Sequence, residues 1–213
     1  MAKFKLFLRS FFISLFLVVC FQTAVNAETI DKVIAVVNSE PVTQNELNQQ
    51  MDVAKNQLLA MKQPIPSDSV LRKQVLDKLI DMKLQLQLAK KANITVSDKQ
   101  VDQTIAQIAA KNHLTVAQLK SAIEQHNMSF SDYKNQIRNE MILSQVTQTQ
   151  VIPTIKLTDA EIDQAKAQLL KRGVKSDLDK KARLMLLQKK FPNAMKTWLE
   201  QLRSQAYVKI TNN

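Results

Sequence analysis

The sequence predicts a mostly α-helical domain closed by a short antiparallel pairing of an N-terminal with a C-terminal strand. Three observations predict it. Residues 28–213 hold one glycine, Gly173, where average usage would give about a dozen, so tight turns are few and a many-stranded sheet is not expected. Four capping boxes stand at Thr43-x-x-Glu46, Ser97-x-x-Gln100, Thr115-x-x-Gln118 and Thr158-x-x-Glu161, each followed by helical periodicity. Two short strand-like runs, 33–37 and 207–210, lie at opposite ends of the chain with helical patterns between them.

The first 27 residues read as a secretory signal. Lys3, Lys5 and Arg9 form a positive start, an apolar run covers 11–21, and Val25-Asn26-Ala27 offers a cleavage site before Glu28. The run is about 11 residues where a spanning helix needs about 20, so no stable membrane insertion is expected after signal removal. Cys20 raises lipidation, but Val19 before it is larger than such signals favour. Removal of 1–27 takes away the only cysteine, six of the eight phenylalanines and three basic residues, and lowers the formal charge from +11 to +8. The remaining chain, 28–213, is expected to be one domain that forms no disulfide and is held by packing alone.

Val33-Ile-Ala-Val-Val37 is β-branched and reads as a strand, and 38–41 reads as a turn because Pro41 is barred from a central ladder position. Thr43 caps a helix of about 18 residues, which Gln63-Pro64-Ile65-Pro66 breaks. The helix over 68–91 carries two adjacent apolar stripes. Leu71, Val75, Leu79, Met82 and Leu86 form one; Leu76, Ile80, Leu84 and Leu88 form the other. So wide an apolar arc predicts a central helix covered on two sides. Helices follow at about 98–111, 116–126 and 130–150. Val151-Ile152-Pro153 interrupts the last. A helix from Thr158 stops near Gly173, its expected C-cap. Another spans 177–190, and Pro192 is expected to open a new helical segment before the closing strand. The two end strands need helices beneath them, since an isolated hairpin is marginal.

Chemistry-bearing motifs are missing. His113 and His126 stand in no metal-ligand spacing and each falls near a helix end. One glycine excludes a Gly-rich phosphate loop, and no G-x-S-x-G elbow occurs. No enzyme, cofactor or metal site is therefore expected. The positive charge is spread over most helices without recognition aromatics, which argues against nucleic acid as a partner. Methionine is more suggestive: Met51, Met61, Met82, Met128, Met141, Met185 and Met195 are flexible and polarizable, as suits a surface that accepts many partners.

Several stretches resemble the SurA family of periplasmic chaperones of Gram-negative bacteria. Asp31-Lys32-Val33 with Ala35-Val36-Val37-Asn38 is similar to the family's first strand and turn. Ser97-Asp98-Lys99-Gln100-Val101-Asp102-Gln103, with Ile105-Ala106 and Ile108-Ala109, is similar to a helix of its N-terminal domain. Asn135-Gln136-Ile137-Arg138, Glu140-Met141-Ile142 and Ser144 resemble its long helix. Lys190-Phe191, Trp198 and Ala206-Tyr207-Val208-Lys209-Ile210 resemble its closing helix and strand. The resemblance implies a SurA N-terminal-like fold completed by the C-terminal segment. Relatives usually carry parvulin-type isomerase domains between these parts. Here the corresponding stretch is a short junction at about 170–179, so isomerase activity is not carried over.

The resemblance implies an ATP-independent periplasmic chaperone that binds unfolded outer-membrane protein precursors and works beside the outer-membrane assembly machinery. The alternative is an envelope adaptor or structural subunit that binds one folded partner. For an apolar client groove, the candidate residues are Met51, Leu58, Met61, Met128, Phe130, Tyr133 and Met141.

Overall fold

The computed structural model describes residues 31–125 and 128–211; the expected signal segment 1–27 and His126 lie outside them. Strand β1 (Val33–Val37) is the centre of a three-stranded sheet ordered β2-β1-β3, with β2 at Glu40–Thr43 and β3 at Val208–Ile210. The end strands pair antiparallel, Val37 opposite Val208 and Ala35 opposite Ile210. The expected turn over 38–41 is shorter than the sequence suggests. Only Asn38-Ser39 forms the loop, and Glu40–Thr43 returns as a strand beside β1. Pro41 is tolerated because β2 is an edge strand, where a missing N–H costs no ladder bond. Asn38 adopts φ 56, a left-handed conformation that asparagine enters more readily than other residues with side chains.

Seven helices follow among the described residues: α1 (Gln44–Ala60), α2 (Asp68–Lys91), α3 (Asp98–Lys111), α4 (Val116–Gln125), α5 (Phe130–Val146), α6 (Asp159–Lys171) and α7 (Leu178–Ser204). Helix α2 is the spine. Its two apolar stripes place Leu71, Val75, Leu79, Ile80 and Leu84 in a buried cluster with Ile34, Val37, Val42 and Leu47. It packs against α1 on one flank and α5 on another, with α7 and the sheet also against it. A second cluster joins Val101 and Ile105 of α3 to Ile137 of α5. A third, Ile162, Ala165, Leu169, Ala182 and Leu186, zips α6 to α7. Ion pairs reinforce the second: Lys134 meets Asp102 at 2.6 Å, and Arg138 meets Asp98.

The helix termini explain how so few glycines suffice. Reciprocal boxes form at Ser97/Gln100, Thr115/Gln118 and Thr158/Glu161. At Thr43 the hydroxyl accepts the Glu46 amide, but the Glu46 carboxylate turns instead to Lys83, 3.2 Å away on α2. A fifth N-cap, Ser129, accepts the Asp132 amide at 3.0 Å. Four C-termini close alike. Lys62, Asn93, His113 and Gly173 each take positive φ, and the amide after each returns to a carbonyl five residues back (Gln63 to Leu58, Ile94 to Ala89, Leu114 to Ala109, Val174 to Leu169). This is the Schellman arrangement; glycine and asparagine enter the left-handed conformation readily, whereas Lys62 and His113 bring to it a side chain that disfavours it. His113 therefore stands at a helix end for a backbone reason.

Two long elements differ from expectation. The helix over 130–150 ends as α-helix at Val146. A wider turn, Thr147–Val151, then brings the Ile152 amide back to the Thr147 carbonyl. The extra residue lets Val146 and Val151, five apart, both be fully buried. Pro192 does not start a new helix, because α7 runs through it without a break. The lost hydrogen bond is borne because both halves are anchored: Ala182 and Leu186 on α6, and Leu202 on the first cluster.

The chain ends are locked by polar contacts above the first cluster. The Asn38 amide donates to the Tyr207 carbonyl (2.7 Å), and the Asn38 side-chain oxygen accepts the Tyr207 amide (3.0 Å). The Asn38 Nδ2 donates to Gln87 of α2 (2.6 Å), whose Nε2 donates to the Val37 carbonyl (3.1 Å). One turn before β3, the Arg203 guanidinium reaches Asp81 (2.5 Å) and both the carboxylate and carbonyl of Asp77 (3.2 and 2.9 Å). Asp81 and then Asp77 hold its proton more tightly than usual, against the opposing effect of burial. Near the start of α6, Glu161 accepts the Thr158 amide (2.9 Å) and Lys190 of α7 (2.7 Å). The Lys190 and Thr158 hydrogen bonds lower its pKa from an ordinary 4.5 to about 2.

Asn38→Gly keeps the turn conformation and removes the side-chain bonds to Gln87 and Tyr207; equilibrium urea unfolding should show a loss of about 1 kcal/mol. His113→Gly relieves a left-handed side chain and should raise stability by up to about 1 kcal/mol in the same experiment. The lowered Glu161 pKa contributes stability that is present above about pH 4.5 and lost as pH falls toward 2. Glu161→Gln should therefore show a shallower loss of stability than the parent between those values, measured by thermal unfolding across acid pH.

Candidate functional site

Helix α1 carries two stripes on different sides. Leu47, Met51, Ala54 and Leu58, spaced 4, 3 and 4, face the first cluster. Gln49, Val53, Asn56 and Leu59, spaced 4, 3 and 3, face away from it and line a groove. Each residue along a helix turns about 100°, so Gln49, Val53 and Asn56, each two after a residue of the first stripe, reach nearly the opposite side, and Leu59, one after Leu58, lies at the edge of that side. Across the groove stand Ala122 and Ile123 of α4, Met128, and Asp132, Tyr133 and Gln136 of α5. Ile65, from the Pro-flanked break after α1, also lines it. The groove measures about 1020 Å³. Its walls are apolar at Val53, Leu59, Ile65, Ile123, Met128 and Tyr133, and amide side chains interleave them. Val53 and Leu59 are 42% and 59% exposed on the side of α1 turned away from the first cluster.

The α5 wall is stiffened by aromatic stacking. Phe130 and Tyr133, three residues apart, stack with centroids 6.3 Å apart and planes at 24°, and the Lys120 ammonium lies 6.0 Å over the Phe130 ring. Burial, and then the Glu140 carboxylate, push the Tyr133 phenol above its ordinary pKa, so it stays neutral at the groove wall. Asp132 is held by the Ser129 hydroxyl at 2.6 Å, and Lys55 is drawn to Asp68 at 3.0 Å.

Of the seven residues expected to line a groove, the structure brings Met128 and Tyr133 together in it. Met51 and Leu58 pack on the first cluster from the other side of α1. Phe130 and Met141 pack on the α3–α5 cluster, and the Met141 sulfur accepts the Thr104 hydroxyl at 3.4 Å. Met61 is 60% exposed just past α1. Val53, Leu59, Ile65, Ala122 and Ile123 were not on that set. The sequence signal for the α1 pair is a second helical stripe, two positions out of phase with the more apolar first. Among the described residues, no group of His, Cys, Asp or Glu is arranged to hold a metal, and no helix is long and apolar enough to cross a membrane.

The family model of the SurA N-terminal domain matches residues 30–147, more than half of the chain. The chain belongs to the SurA N-terminal domain family. The SurA match runs from β1 to the end of α5 and so takes in both groove walls. Chaperone SurA of Legionella pneumophila strain Lens is 41% identical over 151 residues, which are 71% of this chain and 35% of that one. Chaperone SurA of Yersinia pestis is 38% identical over 154 residues, covering 72% and 36%. The chain thus spans about a third of the length of the SurA proteins it matches. Among solved structures, one of two structurally related SurA-like chaperones of Campylobacter jejuni superposes with a TM-score of 0.56 at 13% identity, covering 86% of this chain and all of that one. That likeness shows a shared fold.

Proposed function

We propose that this protein is an ATP-independent chaperone of the periplasm that holds unfolded outer-membrane protein precursors in the α1/α4–α5 groove and hands them on toward assembly. The observation that carries the reading is the groove itself: a large, open, mostly apolar cleft with amide residues between its apolar contacts. A chain in transit presents aromatic side chains and unpaired backbone amides together. Val53, Leu59 and Met128 suit the first, and Gln49, Asn56 and Gln136 suit the second. Two aromatic side chains buried there contribute about 10 kcal/mol gross. Ordering the client takes back part of that, which leaves micromolar binding that is strong enough to shield and weak enough to release.

The signal-like start at 1–27 supports an exported protein. The names of the SurA relatives support the chaperone reading. Between α6 and α7 the connection is only residues 172–177, which supports a chaperone acting at that point without an inserted isomerase module.

Purified protein should suppress aggregation of a denatured outer-membrane β-barrel protein at near-stoichiometric ratio without ATP. The paired change Val53→Asp with Leu59→Asp should weaken suppression at least about tenfold while shifting thermal unfolding little, because both residues are exposed. Folded protein that leaves aggregation unchanged would favour the single-partner adaptor, and faster proline-limited refolding would reveal an isomerase activity that the short junction argues against.

A further inference from the structure

We infer that the free edge of β3 is a second binding site, which takes an extended apolar or aromatic polypeptide segment as a fourth strand of the sheet. The inference rests on the chaperone reading above and adds a second subsite to it. In the β1–β3 ladder, the Asn38 amide bonds the Tyr207 carbonyl and the Thr211 amide bonds the Ile34 carbonyl (2.7 and 2.9 Å). Val36 stands opposite Lys209 between them. Hydrogen-bonded and non-bonded pairs alternate along an antiparallel ladder. Tyr207, Lys209 and Thr211 therefore turn their backbone groups toward β1. Val208 and Ile210 turn theirs outward, where the sheet ends among the described residues. Two amides and two carbonyls in a row are what an extended chain satisfies and a helix or a small anion does not.

The two sheet edges are unlike. The β2 edge carries Pro41, which offers no N–H to an added strand and so blocks strand addition there. The β3 edge carries no proline; its one charge is Lys209. Beside it Tyr207 and Ile210 are 60% and 47% exposed, and strand alternation sends them to opposite faces. They can touch successive side chains of an added strand from both sides. Lys209 chooses among occupants. In a symmetric pairing of two β3 strands it would face its own copy at the position where side chains come closest, which opposes self-association. It accepts a neutral or acidic client.

Hydrogen exchange by nuclear magnetic resonance on the purified protein tests this, with a synthetic peptide of about 10 residues copied from a strand of an outer-membrane β-barrel. The free protein should show fast exchange at the Val208 and Ile210 amides and slow exchange at Lys209 and Thr211. Saturating peptide should slow Val208 and Ile210 at least about tenfold and leave the other two unchanged. Ile210→Pro, which removes one outward donor, should weaken peptide binding severalfold. Peptide that binds with Val208 and Ile210 exchange unchanged overturns the edge site and leaves the groove reading standing. No peptide binding overturns both. Protection at the two amides that rises with protein concentration in the absence of peptide assigns the edge to a second copy and overturns the inference.

Discussion

Segments 169 residues apart share one sheet, and the hydrogen bonds around Asn38 hold them there. The left-handed turn at Asn38 aims both ends of its side-chain amide at useful partners: the oxygen at the Tyr207 amide, the nitrogen at Gln87. Gln87 then reaches the Val37 carbonyl, so strand, hairpin loop, spine helix and chain terminus meet in one bonded set. Under it lies the first cluster, to which Leu202, Ala206 and Val208 contribute from the far end of the chain. Without that return, Ala35 and Val37 would lose the strand beside them and the sheet would be a two-stranded hairpin, which is marginal in water. Loop-closure entropy grows only with the logarithm of length, so so distant a contact is thermodynamically tolerable. It is also the kind of contact that slows folding.

The groove is a consequence of how the spine is used. Helices α1 and α5 both lean on α2, and the space between them is left to solvent and to whatever binds there. A wide apolar arc on α2 makes this possible, because one helix can then anchor two walls. The opposing wall is set by caps and rings: Ser129 starts α5, and the Phe130–Tyr133 stack fixes its first turn.

Much of the architecture was legible because caps and periodicity are local. Three of four capping boxes formed as read, and the fourth lost its second half to Lys83, a partner 37 positions away that no local pattern reveals. The spine helix and the pairing of the end strands followed from apolar spacing and from β-branched runs. Strand β2 was hidden by Pro41, which excludes a central ladder position and leaves an edge position open. The unbroken α7 was hidden by Pro192 in the same way: proline weakens a helix, and tertiary contacts on either side outweigh that. The site was less legible. Residue type pointed to methionines, but which stripe of α1 meets the core depends on α2, and Met51 and Leu58 fall on the covered side while Val53 and Leu59 fall on the open one.

The tip of the α6–α7 pair has a further meaning. Gly173 closes α6 and Asp177 opens α7, so the chain leaves and re-enters the helix pair within residues 172–177, with the third cluster binding the two helices behind it. A folded module spliced in at that point, with termini of matching separation, would hang from the tip as a pendant without disturbing the ladder or the groove. The chain can thus be lengthened or shortened at this one joint while the sheet and the groove stay as they are.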